Sequence, residues 1–150
     1  MKLANGNIWD FSGTVCVTTN LGYTSDHLNV MGRGIALEAK TRYPELPLIY
    51  GEQCFQHRGE SFLFRYKASD RDLICFPTKR LDLERPYFSW KQNSNLALIE
   101  EGLKNLPSFC SKDETVLTVL FGTGNGRLSP FEVLPLMNKY LDDRFTLVSK

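Results

Sequence analysis

The sequence predicts a layered α/β fold with a mixed, mainly parallel central sheet. Three observations carry that prediction. Short apolar runs alternate along the chain with segments of helical period. The runs are nearly continuous rather than alternating, which suits a sheet covered on both faces. Two glycine-rich loops also stand at strand–helix junctions, where open α/β sheets place their ligand loops.

Taken in chain order, Thr14 to Thr19 is short and β-branched and reads as a buried strand. Gly34 to Tyr43 carries Ile35, Ala36, Ala39 and Tyr43 at helical spacing, and Pro44 stops it. Glu45 to His57 reads as a second helix. Ser61 to Tyr66 is a weaker strand, suited to antiparallel pairing. Asp72 to Phe76 is an apolar run that Pro77 ends. Asn93 to Leu106 places Leu96, Ile99, Leu103 and Leu106 on one stripe, with Pro107 just beyond. Thr115 to Phe121 is a further strand, closed by Gly122. Ser129 to Leu141 opens with an N-cap serine, a proline at the first helical position and Glu132 three residues after the cap, the elements of a capping box. Val133, Met137 and Leu141 then repeat every fourth residue, and Phe145 to Val148 supplies a last strand.

The 150 residues are 42% hydrophobic and 23% charged, with no repeat, low-complexity segment or Pro/Gly/Ser-rich linker, so residues 1–150 are expected to form one domain. That composition excludes a disordered tail, a collagen-like repeat and a disulfide-rich mini-protein. Eighteen basic against seventeen acidic residues leave a formal charge of +1, so any anion site must be local rather than a property of the whole surface. None of the four cysteines lies in a C-x-x-C pair, which argues against a zinc or redox motif; Cys16 and Cys75 sit in apolar runs and read as buried free thiols. The N-terminal residues have no apolar signal region, and no apolar stretch is long enough for a bilayer. The expectation is a soluble protein of the reducing cytoplasm, with no membrane partner.

The first glycine loop is Val30-Met31-Gly32-Arg33-Gly34-Ile35-Ala36, immediately before a helix. Glycine lets the backbone approach a ligand closely, and free N–H groups at a helix start favour an anion. The second is Phe121-Gly122-Thr123-Gly124-Asn125-Gly126-Arg127-Leu128, in which three glycines alternate with other residues so that several N–H groups can line one concavity. It is neither a P-loop nor a dinucleotide fingerprint. Each loop alone also has a structural reading, the first as a tight turn with two structural glycines and the second as a flexible loop. Both are expected at the C-terminal ends of parallel strands, so together they suggest a diphosphate.

These loops and the stretch between them resemble a macro domain, the ADP-ribose-binding module. Gly6-Asn7-Ile8-Trp9-Asp10 is similar to the family's Gly-Asp-Ile segment, and Val17-Thr18-Thr19-Asn20 to its apolar strand ending in asparagine. Met31 to Ala36 is similar to the Met-Gly-x-Gly-Ile-Ala loop of a subclass that includes glycohydrolases removing ADP-ribose from DNA bases or protein carboxylates. Phe76-Pro77-Thr78-Lys79-Arg80 resembles that subclass's segment with a catalytic lysine, and Gly122 to Leu128 its diphosphate loop. The resemblance implies a three-layer α/β/α fold and an ADP-ribose cleft over the sheet's C-terminal edge. It places adenine near Asn7 and Ile8, and wraps the diphosphate and distal ribose in Met31, Gly32, Arg33, Gly34, Ile35 and Ala36 and in Gly122, Thr123, Gly124, Asn125, Gly126 and Arg127. It makes Lys79 and Asn20 the catalytic candidates, Asn20 facing the distal ribose and Lys79 its anomeric carbon. It implies no cofactor and no metal, a monomer, and as partner ADP-ribose or an ADP-ribosylated macromolecule such as modified DNA. The sequence departs from the family at Asn7, where an aspartate usually accepts from the adenine amino group, and at Gly126, where protein-directed members carry an acid and DNA-directed members also have glycine.

Cleaving a glycosidic bond at the distal ribose needs an activated nucleophile or base and a fixed sugar. Lys79 can serve as nucleophile if desolvation removes its proton, or stay charged and stabilise a departing group; the bland alternative is a surface lysine beside Arg80. Asp26 and His27 offer a loop acid–base pair that is more commonly just solvated. His57 is read as interacting with a helix C-terminal dipole. The stretch from Arg85 to Lys91 mixes basic and aromatic residues, which suits nucleic acid but also a loop whose rings cover the core. A non-enzymatic binder and an ADP-ribose 1″-phosphate phosphatase are the alternatives on the same scaffold.

Overall fold

The computed structural model describes residues 1–150. Six strands form one sheet: β1 (Lys2–Asn5), β2 (Thr14–Asn20), β3 (Phe64–Lys67), β4 (Asp72–Lys79), β5 (Val116–Thr118) and β6 (Phe145–Ser149). Their order is β1-β6-β5-β2-β4-β3, with every pairing parallel except that of β3 with β4. Four helices cover it: α1 (Gly34–Arg42), α2 (Leu46–His57), α3 (Leu96–Phe109) and α4 (Pro130–Tyr140). No helix is long and apolar enough to cross a membrane.

Strand pleating explains the three layers. Successive side chains point to opposite faces. Val15, Val17, Leu73 and Cys75 therefore face one way and pack with Ile35, Ala39, Leu46 and Tyr50 of α1 and α2. Cys16, Ile74, Phe76 and Val116 face the other way, against Ile99 and Leu103 of α3 and Val133 and Met137 of α4. Each such fully buried large side chain stabilises the fold by about 1.5–3 kcal/mol. All four cysteines are free and buried, and burial pushes the Cys16 and Cys75 thiols well up, which leaves them unreactive.

Several elements differ from expectation for physical reasons. β1 carries little apolar surface and is recognisable only through its pairing with β6. β4 runs through Pro77 to Lys79, past the end of its pairing with β3 at Cys75; Pro77 pairs in register with Thr19 of β2, next to the register shift between Thr19 and Asn20. β5 ends at Thr118; the chain then turns so that Phe121 stacks on Phe76 at 4.3 Å. Pro107 lies inside the last turns of α3 rather than beyond it, and Asn95 is the helix's N-cap, accepting from Leu98 N–H at 3.0 Å. The predicted capping box on α4 is present: Phe131 N–H donates to Ser129 Oγ at 3.1 Å and Ser129 N–H to Glu132 Oε2 at 3.0 Å.

Candidate functional site

The strand ends place a cleft of about 450 Å³ on one edge of the sheet. Its floor is the C-terminal ends of the parallel strands, namely Thr18 to Asn20, Thr78 and Lys79, and Val148, together with Val119 and Leu120 just beyond β5. Both glycine loops reach it. Gly32 to Ala36 form one wall, and Gly122, Thr123, Asn125 and Gly126 form another. Arg33 Nη1 approaches Asn125 Oδ1 at 3.5 Å, so the loops face each other across the opening.

The backbone of these loops is built to receive an anion. Gly34, the first residue of α1, holds φ at +57°, a conformation that most residues avoid, and the space where a Cβ would stand is open to 4 Å. No side chain caps α1, which leaves its first N–H groups open to the cleft. In the second loop the N–H groups of Gly126, Arg127 and Leu128 are taken up internally, by Thr123, Gly124 and Gly122 carbonyls. Those of Thr123, Gly124 and Asn125 have no intrachain acceptor. Two sets of backbone donors thus flank one cavity, as a pyrophosphate requires.

Lys79 stands at the end of β4 on the cleft wall. Its Nζ donates to the Trp90 carbonyl at 2.8 Å. Burial, followed by the nearby Arg33 and Arg127 guanidinium groups, lowers its pKa below the ordinary lysine value. The neighbouring backbone is fixed from several sides. Leu21 N–H donates to Lys79 O at 3.1 Å, and Asn95 N–H to Thr78 O at 2.8 Å. The Phe76–Phe121 stack ties this strand to the loop that begins at Gly122.

Asn20 is 5% exposed and its side chain organises the approach to the first loop. Nδ2 donates to Val30 O at 2.9 Å, while Oδ1 accepts from Gly22 N–H at 2.8 Å and from Asn29 Nδ2 at 3.1 Å. One N–H of its amide remains for a ligand. Ser94 adjoins the second loop: its N–H donates to Gly126 O at 3.0 Å, and its buried Oγ has no partner.

Not every sequence candidate reaches the cleft. Ile8 lines it, but Asn7 is exposed and outside its walls; its Oδ1 caps the 3₁₀ turn 8–10 by accepting from Trp9 N–H at 3.1 Å. Met31 points into the core beneath the loop. Arg127 and Gly124 are also outside the walls, Arg127 with φ at +67° acting on Lys79 through its charge alone. His27 lies away from the cleft, stacked on Phe55 at 3.9 Å and 3.1 Å from Glu52 Oε2, and Asp26 does not join it there. His57 Nδ1 bonds Gln53 O at 2.7 Å, at the C-terminal end of α2. No group of three or more His, Cys, Asp or Glu side chains is assembled that could hold a metal.

Glu38, Ser94 and Trp90 line the cleft without being singled out for it by sequence reasoning. Glu38 has a findable signal: it lies one helical turn beyond Gly34, on the face that the loop presents. Trp90 stands out in the sequence only within a basic–aromatic stretch. It belongs to the 3₁₀ turn 86–91, where Lys91 Nζ sits 4.0 Å from the Phe88 ring centre and 5.3 Å from that of Trp90.

Comparison with known proteins gives a consistent picture. No family model matches the chain. A "DNA ADP-ribosyl glycohydrolase" from Mycobacterium tuberculosis is 33% identical over 120 residues, which cover 74% of this chain and 31% of that protein. The chain thus spans about a third of the length of the curated relatives it matches. The macrodomain of Thermus aquaticus DarG superposes with a TM-score of 0.77 at 24% identity, covering 99% of this chain and 97% of that one. The macrodomain of Mycobacterium tuberculosis DarG gives 0.76 at 26% identity, covering 98% and 96%.

Proposed function

The chain is a macro domain of the DarG type, and from that premise we propose that it binds ADP-ribose and hydrolyses the bond between the distal ribose and a modified DNA base. The observation that carries this reading is Lys79, an amine held beside two sets of free backbone donors and pushed toward its neutral form by burial and by Arg33 and Arg127. In the proposed reaction the diphosphate lies against the N–H groups of the two loops, which fixes the ribose. The lone pair of neutral Lys79 Nζ forms a bond to the anomeric carbon as the glycosidic bond breaks. Its electron pair leaves with the base, which takes up a proton. Water then displaces the lysine and releases ADP-ribose, returning the amine to its starting state. Gly126 supports DNA over protein as the substrate, since no carboxylate stands at that position to assist a second chemistry.

The proposal extends to residues 1–150 folding as one domain and acting as a monomer, and to a cytoplasmic setting, which four unpaired thiols support. Mono-ADP-ribosylated DNA oligonucleotide is the test substrate. The wild-type protein is expected to release ADP-ribose, and Lys79→Ala to lose at least about a hundredfold in rate while retaining ADP-ribose affinity within severalfold. Tight ADP-ribose binding with no release from DNA identifies a binder instead, and phosphate release from ADP-ribose 1″-phosphate identifies a phosphatase.

A further inference from the structure

The cleft offers positive charge and backbone donors along its walls, with one exception. Arg33, Lys79 and Lys150 are its cations, and Glu38 is its only carboxylate. A carboxylate repels phosphate oxygens, so it must face a part of the ligand that donates hydrogen bonds. Its position agrees. Glu38 is held near the β1–β6 side of the sheet, where Gly6, Ile8 and Val148 line the cleft. Lys79 ends β4, with β5 and β2 lying between β6 and β4 in the sheet. Adjacent strands are about 4.8 Å apart, which separates the two ends by roughly 14 Å. A carboxylate at one end and an amine at the other therefore meet different parts of an extended ligand.

Glu38 is also fixed in a defined way. The indole N–H of buried Trp9 donates to Oε1 at 2.8 Å. Oε2 has no hydrogen bond; Lys150 Nζ is 3.8 Å away, with its side chain 83% exposed. One oxygen is thus anchored, and the other is held only by a long ion pair to an exposed lysine, which leaves its hydrogen-bonding positions for a ligand. Ile8 and Val148, which also line the cleft, supply apolar surface for a heterocycle. Asn7, by contrast, uses its side-chain oxygen to cap the turn 8–10.

We propose that Glu38 is the specificity-determining residue for the base: Oε2 accepts from the exocyclic amino group of adenine. The proposal rests on the reading of this cleft as an ADP-ribose site. Hypoxanthine carries a carbonyl at the same position, and two acceptors then face each other. In Glu38→Gln, the amide oxygen keeps the Trp9 bond and the amide nitrogen presents a donor.

Calorimetry with ADP-ribose and with inosine diphosphate ribose tests this on the wild type, Glu38→Gln and Asn7→Ala. The wild type is expected to prefer ADP-ribose by about tenfold or more, the discrimination of one charge-assisted hydrogen bond. Asn7→Ala is expected to keep that preference, and Glu38→Gln to lose or reverse it by gaining affinity for the inosine compound. Equal binding of both ligands by the wild type, an unchanged preference in Glu38→Gln, or loss of preference in Asn7→Ala overturns the assignment while leaving the ADP-ribose site standing. Failure of the wild type to bind either ligand overturns the site itself.

Discussion

Gly126 lies so close to Ser94 that a Cβ on it would stand 2.1 Å from Ser94 Oγ and 2.9 Å from Ser94 Cβ. Any side chain at 126 must therefore displace the second loop or Ser94. Gly126→Asp is expected to destabilise the fold by about 1–3 kcal/mol, as overpacking does, and to weaken ADP-ribose binding. It should confer no activity on ADP-ribosylated protein. Combining it with Ser94→Gly is expected to recover most of the lost stability. Thermal unfolding of the two variants checks this; equal melting temperatures for Gly126→Asp and the wild type would mean that the loop has room to spare.

The charge around Lys79 makes a pH prediction. Cations beside an ammonium disfavour the protonated form, so removing one raises the lysine's pKa. Arg127 acts on Lys79 in this direction from outside the cleft walls. Arg127→Met is expected to move the rising limb of the kcat/KM profile to higher pH. A limb that stays in place would separate the rate-controlling ionisation from Lys79.

Asn20 holds residues 22, 29 and 30 through three hydrogen bonds of its side chain. Asn20→Ala leaves buried polar groups unpaired, at a cost of about 1–3 kcal/mol. Hydrogen exchange is expected to quicken across residues 21–31, and ADP-ribose affinity to fall because the first loop loses its anchor. Exchange confined to the mutated residue would contradict this.

Far from the cleft, Glu114 accepts from Arg65 at 2.6 and 3.0 Å, from Thr14 Oγ1 at 2.6 Å and from Ser111 N–H at 3.0 Å. Burial alone would raise its pKa, but the Arg65 hydrogen bonds and those of Thr14 and Ser111 prevail and hold it at about 2. A folded-state pKa below the ordinary value of 4.5 stabilises the protein above that pH, and the contribution disappears as pH falls toward 2. The stability difference between wild type and Glu114→Gln is therefore expected to be full at pH 6 and to shrink steadily below pH 4.5. A difference independent of pH would assign the effect to packing.

Much of this arrangement is legible in the sequence where local chemistry dictates it. Ser129, Pro130 and Glu132 specify a helix start by themselves, and the apolar runs at 14–19 and 72–76 specify strands buried on both faces. The two glycine loops can be assigned to one sheet edge because parallel connections bring strand ends together. What escapes is set by tertiary placement. β1 exists only through β6, and Phe121 leaves its strand to stack on Phe76. Asn7 and Met31 stand in motif positions, yet one caps a turn and the other fills the core. Glu38 and Ser94 are brought to the cleft by Trp9 and Gly126, partners distant in sequence.

The most direct test of the central claim is a crystal structure of Lys79→Ala with ADP-ribose bound. Phosphate oxygens are expected within hydrogen-bonding distance of the N–H groups at 34–36 and of Thr123 and Asn125, with the anomeric carbon about 3–3.5 Å from where Lys79 Nζ would lie. A nucleotide bound in the reverse direction, or with its anomeric carbon turned away from β4, would contradict it.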